Sequence, residues 1–117
     1  MSEFVVEPCA GIAGRVRVPG DKSISHRALM LGAIASGQTQ VDGFLEGEDC
    51  LATLRAVASL GVNVQRPAPG EVVIEGVGLR GLGRQRSVLD MGNAGTAMRL
   101  FMGLLSAQGF DSELVGD

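Results

Sequence analysis

The chain has 117 residues, of which 45% are hydrophobic and 20% charged, so it is long enough for one domain with a core and globular rather than disordered in composition. Its net charge of −3, with 3% aromatics and neither Trp nor Tyr, speaks against a general nucleic-acid binder, which would be basic and would offer rings for base stacking. No apolar run approaches the roughly 18 residues of a membrane span, and Met1-Ser2-Glu3-Phe4 has no basic region leading into an apolar stretch, so neither a membrane anchor nor a secretory signal is expected and a cytoplasmic location follows.

In chain order, Arg15-Val16-Arg17-Val18 alternates and stops at Pro19-Gly20, the pattern of a strand entering a turn. Residues 23–36 are expected to be a helix. Ile24, Ala28, Leu31 and Ala35 would form its apolar stripe, with Ser23 as N-cap and Gly37 as its stop. Thr39–Asp42 reads as a strand. Asp49–Leu60 reads as a second helix capped by Asp49, striped by Leu51, Leu54 and Ala58, and ended by Gly61. Val62–Gln65 and Glu71–Glu75 alternate on either side of the turn Pro67-Ala68-Pro69-Gly70 and are expected to pair as a hairpin. A glycine- and arginine-rich connection over 76–86 follows, in which Arg80, Arg84 and Arg86 read as solvated surface. Ser87–Asp90 is expected to be a short strand, Thr96–Gln108 a third helix stopped by Gly109, and Ser112–Val115 a last strand. Phe101, Leu105, Met98 and Met102 read as core. The fold class is therefore α/β in the broad, α+β sense.

This order looks like the start of a repeat. Laying residues 20–30 over residues 92–102 aligns glycine with glycine, arginine with arginine and methionine with methionine at an offset of 72, and Gly37 falls on Gly109. One unit would run from about 15 to 76 and a second would open at about 87 and continue to 117. A chain that ends partway through a repeat is expected to be a piece of a longer protein.

Cys9 and Cys50 fit no metal-ligand spacing and read as reduced thiols. Nine of the ten cations are arginines. The single lysine, Lys22, and the single histidine, His26, both fall in Gly20-Asp21-Lys22-Ser23-Ile24-Ser25-His26-Arg27. That segment carries a glycine turn into a helix start, where free N–H groups and the helix dipole favour an anion. Lys22 adds an ammonium and Ser23 a hydroxyl, and Arg27 stands one turn above Ser23. Together they suit a phosphate or a carboxylate. The ordinary alternative is a capped surface helix with solvated charges. A nucleotide P-loop is rejected, because Asp21 rather than glycine precedes Lys22. In the second segment, Asp90-Met91-Gly92-Asn93-Ala94-Gly95-Thr96-Ala97-Met98-Arg99, small residues again lead into a helix. Gly92 and Gly95 would let backbone approach a ligand, and Asn93 and Thr96 would donate or simply cap. The repeat would let both helix starts face one anionic site. His26 reads as structural rather than catalytic. Asp49 reads as a cap, although a carboxylate near the site can support acid–base work.

Val18–Ala28 and Gly92–Arg99, with Gly61-Val62 and the terminal Leu114-Val115-Gly116-Asp117, closely resemble the enolpyruvyl transferases, on the branch that acts on shikimate 3-phosphate. The resemblance implies transfer of the enolpyruvyl group of phosphoenolpyruvate to the 5-hydroxyl of shikimate 3-phosphate with loss of phosphate, without metal or organic cofactor. It implies that Lys22 contacts both substrates, that Ser23 and Arg27 bind shikimate 3-phosphate, and that Gly95, Asn93 and Thr96 form the phosphoenolpyruvate wall. Its fold implication is an inside-out α/β barrel of βαβαββ units, with substrates between two domains. Residues 1–19 would then pack with the other domain, and residues 20–117 would be part of the substrate-binding one. The remaining substrate-binding and proton-handling groups would lie beyond Asp117, so this chain alone is expected to be inactive and to need that missing C-terminal part. Many members carry proline after the arginine of the second motif, where this chain has Leu100, which is expected to keep that helix turn regular and to alter inhibitor binding. Two other readings remain: an enolpyruvyl transferase acting on a UDP-sugar, and a non-catalytic piece that self-associates through exposed apolar surface.

Overall fold

The alternation of residues 71–77 organises the structure. The chain is described here by a computed structural model covering residues 2–83 and 88–117. Its elements, in order, are α1 (Lys22–Ile34), β1 (Ser36–Asp42), α2 (Glu48–Ser59), β2 (Asn63–Gln65), β3 (Glu71–Val77), β4 (Leu89–Asp90), α3 (Gly95–Ser106) and β5 (Leu114–Val115). β3 is the centre of an antiparallel sheet of order β1-β3-β2. Ile74 lies between Thr39 and Val64, and Val72 lies opposite Val41. Val72 and Ile74 are buried, whereas Gln38, Glu75 and Asn63 share the solvent face, where the Gln38 amide donates to Glu75 at 2.7 Å. One apolar face and one polar face are what an antiparallel sheet covered on one side requires. The expected hairpin is present, with Gly70 at φ +75° in its turn.

Helix α1 covers that apolar face at close range. A Cβ on Gly32 would stand 2.8 Å from Cδ1 of Ile74, and one on Gly76 would strike the carbonyl oxygen of Ala35. α2 lies beside α1 and over β2, and α3 contacts both helices. β4 and β5 form a separate parallel pair, Leu89 with Leu114 and Asp90 with Val115. Leu29, Met30 and Ala33 from α1, Cys50, Ala56 and Val57 from α2, Met91, and Phe101 and Leu105 from α3 belong to one continuous core. Among the described residues no helix is long and apolar enough to cross a membrane. The mixed α and β composition agrees with the expected class.

Several expectations need correction. Arg15–Val18 is not a strand: residues 2–21 carry neither helix nor strand, and Val16 and Val18 are exposed. Alternation prepares a strand, but only a neighbouring edge supplies the hydrogen bonds that make one, and no described strand pairs there. The stripe expected on α1 faces outward. Ile24 is 68% exposed and Leu31 61%, while Ser25, His26, Leu29, Met30, Gly32 and Ala33 are buried. This helix is apolar on two sides, so periodicity alone did not choose between them; the sheet and α2 cover the other one. On α2 the buried line is Cys50, Ala52, Thr53, Ala56 and Val57, with Leu51 and Leu54 only half-buried and Ala58 exposed. On α3, Phe101 and Leu105 are buried as expected, Met98 is half-buried and Met102 is 58% exposed.

Helix ends also moved. α1 ends with Ala35 as C-cap, so β1 begins at Ser36 and Gly37, at φ +95°, lies inside the strand rather than stopping the helix. Gly61 does follow the end of α2, at φ +93°, but α3 is closed by Ala107, two residues before Gly109. α3 is unbroken through Leu100, which sits in its second turn, half-buried against the core. Both cysteines are free thiols, Cys9 exposed and Cys50 buried. Arg80 is exposed, as expected; Arg84, Arg86 and Ser87 lie outside the described residues.

The contact between α1 and β3 gives a direct test. Gly76→Ala should lower stability by about 1–3 kcal/mol, because the added methyl meets backbone that cannot rotate away. An unchanged urea midpoint would show that α1 does not lie this close to the sheet.

Candidate anion-binding site at two helix starts

The first segment turns because Gly20 has no side chain: a Cβ there would collide with the carbonyl oxygen of Gly43. Asp21, not Ser23, is the N-cap of α1, and its carboxylate accepts from the amide of Ile24 at 2.8 Å. Asp at this position is as good a cap as Ser, and it precedes the helix by the one residue that matters. The Ser25 amide is taken by the carbonyl of Asp21 at 3.1 Å. The amides of Lys22 and Ser23 therefore have no partner among the described residues, which is the ordinary condition of a helix start and the reason such starts hold anions. The buried hydroxyl of Ser25 donates to the Asp21 carbonyl at 2.7 Å and accepts from the amide of Leu45 at 3.1 Å. It ties the turn to the loop after β1, and sequence reading gave it no part.

Two contacts pair the expected residues, Arg27 with Ser23 and Lys22 with Asp49. Arg27 reaches back over the first turn and donates to the carbonyl of Ser23 at 3.2 Å. The ammonium of Lys22 lies 3.4 Å from Oδ2 of Asp49, with side-chain exposures of 51% and 31%. An exposed pair this long contributes about 0–1 kcal/mol. Lys22 is thus loosely held and can turn to an incoming anion at small cost. Asp49 is not a cap. α2 starts after Gly47 with no side-chain cap bond, and Asp49 lies in its first turn, where its charge complements the helix dipole and partners Lys22.

The second segment is built differently. Gly92 sits at φ +56°, its amide donating to Oδ1 of Asp90 at 2.9 Å and its carbonyl accepting from Asp117 at 2.8 Å. α3 begins after Ala94 without a side-chain cap bond, so neither Asn93 nor Thr96 is its cap. Asn93, Gly95 and Thr96 are all exposed, and the Gly95 amide donates to the Asn93 carbonyl at 3.1 Å. Among the described residues no hydrogen bond or ion pair joins this segment to the Lys22 cluster.

His26 is structural, as expected. It is fully buried between α1 and α2, with Nδ1 2.7 Å from Oγ1 of Thr53 and Nε2 without a partner. Burial pushes its pKa below the usual histidine value. Asp49 opposes this, and Lys22 and Arg27 reinforce it. Thr53 went unnoticed in the sequence, because a lone threonine inside an apolar helix carries no signal of its partner.

The geometry describes an α/β protein with a helix start that carries lysine, serine and arginine and leaves two amides without a partner among the described residues. Comparison with known proteins is more specific. Residues 6–117 match the family model for EPSP synthase (3-phosphoshikimate 1-carboxyvinyltransferase). The chain belongs to the EPSP synthase family. It is 59% identical over 115 residues to 3-phosphoshikimate 1-carboxyvinyltransferase of Hydrogenovibrio crunogenus, which covers 98% of this chain and 26% of that protein. It is 52% identical over its whole length to the Legionella pneumophila (strain Corby) protein of the same name, covering 27% of it. The solved structure of EPSP synthase from Acinetobacter baumannii superposes with a TM-score of 0.84 at 60% identity, over 89% of this chain and 23% of that one. The chain thus spans about a quarter of the length of the relatives it matches.

Burial of His26 makes stability depend on pH in a defined direction. The unfolded ring takes up its proton at the ordinary value, near 6.5, and the buried ring only at lower pH. Over that interval the unfolded state binds more protons, so stability falls as pH falls. The unfolding free energy from urea titration should therefore drop between pH 7.5 and pH 5.5, by at most about 1.4 kcal/mol per pH unit. His26→Asn, which does not titrate, should flatten the profile. An equal slope in both proteins would place the titration elsewhere.

Proposed function

We propose that this chain forms the Lys22 side of an active site that transfers the enolpyruvyl group of phosphoenolpyruvate to the 5-hydroxyl of shikimate 3-phosphate, releasing phosphate, in the cytoplasm and without metal or organic cofactor. The observation that carries the reading is that α1 starts with Lys22 and Ser23, whose amides have no partner among the described residues, and that Arg27 on the next turn bonds back to Ser23. Its support is the membership of residues 6–117 in the EPSP synthase family. In this reading shikimate 3-phosphate binds at Ser23 and Arg27, and Lys22 leaves Asp49 to bridge both substrates. Gly95, Asn93 and Thr96 contact phosphoenolpyruvate. The backbone amides at the start of α1 are the fixed donors that can meet charge as it develops without reorganising, and Asp49 can take up or return a proton beside Lys22.

The reading extends to the architecture. An inside-out barrel would be built from repeats, one of about 15–76 and a second opening at about 87. The positions of α1 and α3 favour this: shifted by 72 residues, α1 begins one residue before α3 and ends at the same position, Ser106. Residues 1–19 would pack with a second domain, and residues 20–117 would be part of the first. Completion of the site would require the remaining three quarters present in the relatives. Exposed Ile24, Leu31 and Met102 favour one further possibility, self-association of the chain alone. Sedimentation would read it as a concentration-dependent mass, and a constant monomer mass would dismiss it.

Titration of the isotope-labelled chain with shikimate 3-phosphate should shift the amides of Lys22, Ser23 and Arg27, and added phosphoenolpyruvate should shift Gly95. Arg27→Ala should weaken shikimate 3-phosphate binding by roughly 10- to 100-fold, the worth of a charged hydrogen bond. A chimera with this chain in place of the matching quarter of the Acinetobacter baumannii enzyme should release phosphate, and Lys22→Met should slow it on the order of 100-fold or more. A folded chimera that is inactive, beside a chain that shows no shifts, would sink the reading.

A further inference from the structure

Among the described residues two side-chain pairs join α1 to α2, and they are related. Lys22 meets Asp49 and His26 meets Thr53, each pair 27 residues apart in sequence. Each partner of the second pair lies four residues after its counterpart in the first, one turn further along the same face of its helix. α1 and α2 therefore run side by side with their starts level, and the two pairs are successive rungs between them. The upper rung is exposed and 3.4 Å long, too weak to hold two helices in register. The lower rung is buried and 2.7 Å long.

We infer that the His26–Thr53 hydrogen bond is a positioning element that sets the register of α1 against α2 and so holds Lys22 and Asp49 level at the substrate-facing helix starts. The inference rests on the reading of Lys22 as the substrate-binding cation. His26 is not a catalytic residue, because no part of it is exposed to touch a substrate.

Three further observations carry the argument. The Thr53 hydroxyl lies 3.3 Å from the carbonyl of Asp49, so the lower rung is linked to the backbone of one upper-rung residue, and the Cys50 thiol, one residue after Asp49, lies 3.6 Å from the carbonyl of the other, Lys22. A hydroxyl has one proton. With it on the Asp49 carbonyl, His26 donates from Nδ1 and leaves Nε2 as a bare lone pair, and Nε2 is indeed buried without a partner. An unpaired buried nitrogen costs stability, which an apolar residue of similar size would avoid. What histidine supplies and leucine does not is a directional bond. A slip of one residue along a helix is about 1.5 Å, and displacements of about 1 Å at a reacting centre can cost about 100-fold.

The test uses this chain with four substitutions: His26→Asn, whose amide occupies the place of Nδ1; His26→Leu and Thr53→Val, which keep bulk and lose the bond; and Val72→Ala, a buried strand position away from α2 that lowers stability without touching the rungs. Without ligand, His26→Leu and Thr53→Val should move the amide resonances of Lys22, Asp49 and Cys50, and His26→Asn and Val72→Ala should leave them near the parent. With shikimate 3-phosphate, His26→Leu and Thr53→Val should each bind at least tenfold more weakly, and the double variant no more weakly than the worse single one. His26→Asn should bind within about threefold of the parent. Unmoved Lys22 and Asp49 resonances in folded His26→Leu and Thr53→Val would overturn the inference. So would His26→Asn behaving like His26→Leu, or Val72→Ala losing as much affinity. If the parent binds no shikimate 3-phosphate, the same substitutions are compared for binding in the folded chimera, and the ligand-free spectra still decide whether the rung positions Lys22.

Discussion

Helix α1 rests on the sheet where two side chains are missing. Gly32 faces Ile74 and Gly76 faces the end of α1, and in each case a Cβ would meet an atom of the other element. This approach brings Leu29, Met30 and Ala33 of α1 into one core with Val72 and Ile74 of β3. α2 then packs beside α1, α3 against both, and the Lys22 cluster forms at the free end of the first two. A core filled to crystal-like density transmits a shift of one element to its neighbours, so the site depends on a contact that contains none of its residues.

The site combines rigid and loose parts. The turn at Gly20 is clamped on two sides, by the collision any side chain would make with Gly43 and by the Ser25 hydroxyl shared between Asp21 and Leu45. The cap at Asp21 uses one amide and leaves two at the helix start for a ligand. Above this frame, among the described residues, Lys22 is held only by a long, exposed pair with Asp49, and Arg27 only by one bond to a carbonyl. Backbone donors stay in place while the charged side chains remain free to turn. A pre-set row of backbone donors with mobile cations beside it is the local arrangement that suits an anion.

The second segment shows the same local plan without the same partners. Asp90 and Asp117 hold the glycine turn at Gly92, and α3 starts without a side-chain cap, leaving Asn93 and Thr96 exposed. Where Asp21 caps α1, its counterpart Asn93 at the 72-residue offset lies one position before the N-cap of α3. A shared pattern in sequence therefore became two different helix starts.

Much was determined by residue type and spacing alone. The three helices and the β2–β3 hairpin follow from apolar periodicity and from turns at Pro67–Gly70 and Gly61. The grouping of Lys22, Ser23 and Arg27 follows from their places within two turns of one helix, because such local geometry is set by φ and ψ and needs no distant partner. Tertiary structure decided what local geometry leaves open. It chose the covered side of α1, turning Ile24 and Leu31 outward, because a helix apolar on two sides is buried wherever a sheet happens to lie. It left Arg15–Val18 unpaired, because a strand exists only with a neighbour to bond. It brought Asp49 to Lys22 and Thr53 to His26 across 27 residues, because contacts between elements depend on packing distances that no single segment encodes.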